Sequence, residues 1–285
     1  MEENQGLNSI LTPVRGLDNG MELDTYHGRP ELSAHNLMDV SISPRYADFK
    51  KNNPVKQTEA MANGHIIHDA LEDIANFEKK YAVEPDVDKR TKKGKESLQS
   101  FQDSNEGKTI ISQKQYDMGR LCSDAAWNHP EAGIFLEHSK KELSGFGQCL
   151  RVPCKARPDL DCTELSADLV DIKSRQPGKA GRDEWLKDFF FYKTYIQVGL
   201  QVEIWRQLGF KVTGYYHLLV ESGEPFQVNV IPLDPEWIEI GIYQVYEAVQ
   251  KWQLYLDAGR PPGYGRNQLP LGAPMWMKKK LGWSS

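Results

Sequence analysis

Two short runs of this 285-residue chain combine residue types that can do chemistry together: Lys155-Ala156-Arg157-Pro158-Asp159 and Ala167-Asp168-Leu169-Val170-Asp171-Ile172-Lys173. Both have strand composition. Side chains alternate faces along a strand, so Leu169, Asp171 and Lys173 share one face while Val170 and Ile172 point to the other. Asp171 and Lys173 therefore stand side by side, and pairing the two strands through a short turn brings Asp159 next to Asp171. Two carboxylates and an amine on a sheet edge are costly to desolvate unless a cation joins them. Oxygen ligands suit Mg²⁺, with Mn²⁺ as a substitute, and water on such an ion is a ready nucleophile for a phosphodiester. The alternative reading of the same D-x-K spacing is an exposed strand with an ordinary surface ion pair.

Other groups stand where they could contribute. His65, His68, Asp69 and Glu72 fall at helical spacing on one polar face. Lys193, Gln197 and Gln201 stand four apart, with Phe190, Ile204 and Leu208 opposite, which puts a polar stripe against either a phosphate backbone or solvent. Tyr192 and Tyr195 read as packing residues. The run Lys89-Arg90 with Lys92-Lys93-Gly94-Lys95 is a solvated loop or a phosphate-contacting rim. Cys122, Cys149, Cys154 and Cys162 include no CxxC pair, so buried free thiols are expected rather than a zinc or iron–sulfur site. No G-x-x-x-x-G-K-[ST] pattern occurs, which argues against ATP-driven translocation by this chain.

The elements that would position these groups are legible in outline. Ser33 caps a short helix through Met38, and Ser41 to Tyr46 leads into another. Met61, Ile67, Leu71, Ile74 and Phe77 predict a helix over 57–81. Residues 113–145 read as two helices broken around Asn128-His129-Pro130. Strands are expected over 148–159 and 165–174, separated by a polar turn at Asp161-Cys162-Thr163. A long helix over 182–208 stops at Gly209. Strands 212–221 and 226–232 form a hairpin around Ser222-Gly223-Glu224-Pro225. Asp234-Pro235 then supplies a cap and a first-position proline for a helix that reaches Ala258 and ends at Gly259. This order makes an α/β fold with a mixed central sheet flanked by helices. Residues 1–30 read as a flexible N-terminal arm, and 31–285 as one domain with an irregular C-terminal tail.

Charge and hydropathy narrow the class. Lys+Arg number 35 against 40 Asp+Glu, a net charge of -5, which rules out a polybasic binder but not a nucleic-acid enzyme with a local basic channel. No apolar run approaches the ~18 residues of a membrane span, and Met1-Glu2-Glu3-Asn4 does not open a signal peptide, so a soluble protein with no membrane partner is expected.

Arg157-Pro158-Asp159 followed by Asp171-Ile172-Lys173 resembles the signature of the PD-(D/E)XK, or restriction-endonuclease-like, nucleases. The surrounding blocks resemble the RecE-type exonuclease (exonuclease VIII) family of phages and prophages over roughly residues 31–277. They are Ser43-Pro44 with Tyr46, Thr58-Glu59-Ala60-Met61 leading to Gly64 and His68, Glu142, Cys154 to Asp159, Gln197, Val220-Glu221 with Pro225-Phe226, and Gly263-Tyr264 before Pro274 and Trp276. The resemblance implies that Asp159 and Asp171 bind the metal, that Lys173 is the catalytic lysine, and that Ile172 offers a backbone carbonyl. It further implies His68 as an additional metal ligand and Glu142 as a support for the metals, directly or through water. Gln197 fits the glutamine of the family's Q-x-x-x-Y motif, but Gln201 stands at the tyrosine position.

The activity implied is Mg²⁺-dependent, 5′-to-3′ digestion of one strand of linear double-stranded DNA. The 3′ single-stranded product would pass to a RecT-like annealing protein for recombination, and a ring-shaped homo-oligomer in the bacterial cytoplasm is expected. Arg45 and Arg157 are candidates for the 5′-phosphate, and Lys278-Lys279-Lys280 for DNA outside the site. The rivals are a RecB- or Cas4-like nuclease of other polarity and a catalytically silent DNA-binding assembly subunit.

Overall fold

The computed structural model describes residues 16–53, 55–260 and 262–264. The first half is a set of short elements whose helices start at side chains that satisfy first-turn N–H groups. An edge strand β1 (Gly16–Asp18) and a short helix α1 (Leu23–Gly28) come first. Ser33 and Asn36 then form the capping box of α2 (Ala34–Ile42), and Ser43 with Pro44 opens α3 (Pro44–Asn52). Thr58 caps α4 (Glu59–Glu72).

The continuous helix expected over 57–81 is interrupted at Asp73. That residue is extended, and its carboxylate accepts the Ala75 and Asn76 N–H groups at 2.9 and 3.0 Å, so α5 (Ile74–Lys80) starts afresh. After β2 (Tyr81–Val83), Lys89-Arg90 lie in a turn as the loop reading expects, whereas Lys92-Lys93-Gly94-Lys95 start α6 (Lys92–Ser104), capped by Thr91. Its Lys, Glu and Gln residues are strong helix formers once a cap is present.

Then come β3 (Thr109–Ile111), α7 (Gln113–Trp127) and α8 (Pro130–His138), followed by β4 (Lys140–Lys141). The expected first strand divides into a hairpin of β5 (Ser144–Cys149) and β6 (Val152–Ala156), and Asp161 and Cys162 lie in β7 (Leu160–Cys162) rather than in a turn. β8 (Asp168–Arg175) carries the second motif. The expected 182–208 helix is two helices, α9 (Arg182–Phe191) and α10 (Tyr195–Gln207), because Lys193 takes a left-handed φ of 55° between them. A hairpin of β9 (Gly214–Glu221) and β10 (Val228–Pro232) leads to α11 (Pro235–Ala258), bounded by Asp234 and Gly259 as expected.

The central sheet runs β10-β9-β8-β7-β4, parallel between β8 and β9 and antiparallel elsewhere, so it is mixed as anticipated. Its two faces bury different cores. Leu169, Tyr215 and Leu219 pack toward α10, α11 and α2 with Trp205 and Phe189, whereas Val170, Ile172, Leu218 and Val220 pack toward α4, α7 and α8 with Ile67 and Leu136. α10 crosses α11 with backbones in contact: a Cβ on Gly199 would stand 2.1 Å from the Gly241 carbonyl carbon. A second sheet, β1-β5-β6, lies against the same helix, where a Cβ on Gly145 would stand 2.5 Å from the Trp205 ring.

Residues 16–28, inside the segment expected to be a flexible arm, form β1 and α1. β1 pairs with β5, and the buried Lys155 ammonium caps the end of α1 by donating to the Tyr26, His27 and Arg29 carbonyls at 2.6, 3.4 and 2.8 Å. Most of the expected C-terminal tail, Lys278-Lys279-Lys280 included, lies outside the described residues. Among the described residues, no helix is long and apolar enough to cross a membrane.

Candidate active site

Asp159 lies in the link from β6 to β7. The antiparallel pairing of Leu160 with Val170 carries it alongside the middle of β8, where its Oδ2 accepts the Ile172 N–H at 2.5 Å. Asp171 and Lys173 project from β8 toward α10, as strand alternation requires. The Lys173 ammonium pairs with Asp171 Oδ2. Gln197, in the first turn of α10, clamps both groups: its Nε2 donates to Asp171 Oδ1 at 3.0 Å and its Oε1 accepts from Lys173 Nζ at 3.1 Å. Gln201, one turn on, donates to the same Asp171 oxygen at 3.4 Å. The structure thus brings together Asp159, Asp171, Ile172, Lys173 and Gln197.

A second group of ligand atoms approaches from α4 and from the end of β4. His68, Glu72 and Glu142 each offer one within 4.8 Å of the others, and His68 Nδ1 is 3.8 Å from Asp159 Oδ2. The sequence pattern places Glu142 on a helix. It instead follows β4 in a left-handed backbone of φ 54°, its N–H donating to the Asp159 carbonyl at 3.1 Å, because the antiparallel pairing of β4 with β7 continues to that point. Glu72 went unassigned as a site residue. Its signal was the four-residue step from His68, which puts both on one helix face.

Electrostatics fits a site built for a cation. Burial, then the charge on Asp171 and then that on Glu142, push the Asp159 carboxyl well above the usual range. Burial and Glu142 push Glu72 up to about 9. Burial also works against the Asp171 charge, but Lys173 beside it holds the carboxyl below its usual value. Lys173 in turn is raised by Asp171 and Asp159 against the effect of burial, so it is an ammonium. Burial and then Lys173 lower His68, leaving a neutral imidazole, the form that ligates metals. Crowded carboxyls pushed above their usual range, next to an imidazole held toward its neutral form, are a donor set suited to a divalent ion such as Mg²⁺ or Mn²⁺.

Three expected placements are not met, those of Lys193, Phe190 and Tyr192. Lys193 leaves the Gln197–Gln201 stripe because its left-handed φ breaks the helical register, and its ammonium donates to Ser41 Oγ at 2.8 Å. Phe190, expected on the core side, is 59% exposed, and Tyr192 is exposed as well. Arg157, a candidate for the 5′-phosphate, is already engaged: it pairs with Glu142 and donates to the Met21 carbonyl at 2.7 Å and to Ser144 Oγ at 3.1 Å. His65, given no ligand role beside His68, is exposed and meets Gln57 at 3.4 Å. The four cysteines are free and buried, as expected.

The site opens into a cleft of about 2440 Å³, lined by His27, His35, His68, Asp159, Lys173 and Gln197 among others. Small-molecule pockets are typically about 300–1,000 Å³, so this cleft has room for a stretch of polymer.

Residues 33–267 match the family described as "PDDEXK-like domain of unknown function (DUF3799)", and the chain belongs to that family. A crystal structure from Eubacterium rectale described as a "Putative exonuclease" is similar in fold, with a TM-score of 0.57 at 14% identity over 91% of this chain and 97% of that one. No curated protein matches the sequence.

Proposed function

We propose that this chain is a divalent-metal-dependent exodeoxyribonuclease that digests one strand of linear double-stranded DNA from its end. One observation carries the reading: Asp159 and Lys173 line a polymer-sized cleft with Asp171 buried directly beside them, and Gln197 is bonded to both Asp171 and Lys173. The residues that would hold cations are Asp159, Asp171 and the Ile172 carbonyl, with His68, Glu72 and Glu142 close by. When bound, a divalent ion such as Mg²⁺ supplies a lower pKa for attacking water and withdraws charge from the scissile phosphate.

The chain's own groups do the rest. Lys173, as an ammonium, donates to the attacking water and stabilises the negative charge that develops on the phosphate oxygens; the proton the water loses passes to solvent in the open cleft, and the departing sugar oxygen takes one back from it. Gln197 fixes the Lys173 amine against Asp171, so neither reacting group needs to reorganise during the step. Asp171 is fully buried, and the low local dielectric strengthens its interaction with Lys173. Attack from the 5′ end, transfer of the 3′ single strand to a RecT-like annealing protein, and a ring-shaped homo-oligomer belong to the same proposal and rest on the resemblance to RecE-type exonucleases.

The test is linear duplex DNA labelled at the 5′ or the 3′ end, incubated with and without Mg²⁺, for wild type and Asp171→Ala. The expected result is Mg²⁺-dependent loss of the 5′ label, abolished by the substitution, with covalently closed circles left intact. Cutting of closed circles would make the protein an endonuclease, and early loss of the 3′ label would reverse the polarity.

A further inference from the structure

The resemblance along α10 departs at one position, where the tyrosine of Q-x-x-x-Y is replaced by Gln201. The structure shows a phenol arriving at that place from another element. Tyr215, on β9, is 1% exposed, and its hydroxyl donates to Gln201 Oε1. Gln201 is itself 2% exposed, and its Nε2 donates to Asp171 Oδ1 at 3.4 Å and to the Arg157 carbonyl at 3.2 Å.

The two ends of an amide are nearly the same shape, so packing alone does not choose between them. Turned round, Gln201 would aim its carbonyl at the Asp171 carboxylate and the Arg157 oxygen, replacing two hydrogen bonds with two repulsions. Those two pure acceptors fix the amide's orientation, and the Tyr215 hydroxyl holds it there by donating to the carbonyl end. Asp171 Oδ1 then receives two amides, from Gln197 and Gln201, and Oδ2 is left toward Lys173.

We infer that Tyr215 and Gln201 are positioning residues, a buried phenol-to-amide relay from β9 that orients the Asp171 carboxylate for the divalent ion. The inference rests on the nuclease reading and deepens it. Outer contacts of this kind, which hold a ligand without touching the ion, typically change metal affinity by about 10–100-fold.

The full-length chain is titrated with Mn²⁺ and free ion read by electron paramagnetic resonance, alongside steady-state digestion of linear duplex DNA. Tyr215→Phe is compared with Tyr246→Phe, which removes a phenol bonded to Glu203 Oε1 at 2.8 Å instead. Tyr215→Phe is expected to raise the Mn²⁺ dissociation constant about 10-fold and to lower kcat with KM for DNA unchanged, while Tyr246→Phe moves none of these. Gln201→Met, which keeps the bulk and removes the amide, is expected to repeat the Mn²⁺ effect should Tyr215→Phe fail to fold. Wild-type Mn²⁺ affinity in Tyr215→Phe or Gln201→Met, or equal losses in Tyr246→Phe, would overturn the relay while leaving an active wild type and the nuclease reading intact. A wild type that neither binds Mn²⁺ nor digests DNA would remove both.

Discussion

At the scale of single residues, the site is a problem of excess negative charge. Burial and neighbouring carboxylates push Asp159 and Glu72 above the usual carboxyl range in the metal-free chain. The linkage has a definite sign. A carboxyl raised on folding binds more protons folded than unfolded, so stability falls as pH rises between the unfolded and folded values, here from the ordinary 4.5 to about 9 for Glu72. A divalent ion relieves that penalty. Thermal unfolding at pH 6 and pH 8, with and without Mn²⁺, is therefore expected to show the larger ion-induced rise in Tm at pH 8; equal rises at both pH values would show that these carboxyls do not face the ion. Much of this was legible in the sequence: strand alternation alone joins Asp171 to Lys173, and a short turn brings in Asp159. Glu72 was visible on the His68 face, yet nothing in spacing tells a ligand from a solvated glutamate. The pairing of Arg157 with Glu142 was not legible, because strand pairing alone brings the two together.

At the scale of elements, the site depends on where α10 sits, since Gln197 and Gln201 both project from it. Its position is set by the glycine crossing with α11, where no side chain fits between Gly199 and Gly241. Gly199→Val must force the helices apart, and overpacking of this kind costs about 1–3 kcal/mol or more. Urea unfolding is expected to show that loss, together with reduced DNA digestion as Gln197 moves from Lys173; a variant of wild-type stability would mean that the crossing is slack. Helix ends with strong local signals were legible: Ser33, Asp234 and Gly259 mark their boundaries correctly. The breaks at Asp73 and Lys193 were not. Both interrupt an otherwise helical pattern through one residue's backbone, which hydrophobic periodicity does not register. The basic stretch near Lys92 was missed for the opposite reason, since its helix is exposed and leaves little apolar stripe to read.

At the scale of the whole molecule, an acidic chain of net charge -5 must still admit a polyanion. The architecture answers this locally, placing the acidic ligands at the floor of one large cleft where bound cations would reverse the sign of the field. The layered α/β class was readable from element order, whereas the cleft is not a property of any segment: α1, α2, α4 and β8 make it jointly. The account stands on one claim, that Asp159 and Asp171 share a divalent ion beside Lys173. Crystals soaked in Mn²⁺ and measured near the manganese absorption edge test it most directly. The expected result is an anomalous peak within coordination distance of both carboxylates, at about 2.0–2.2 Å from their oxygens. Peaks only at surface carboxylates, with Asp159 and Asp171 left unligated at saturating Mn²⁺, would contradict it.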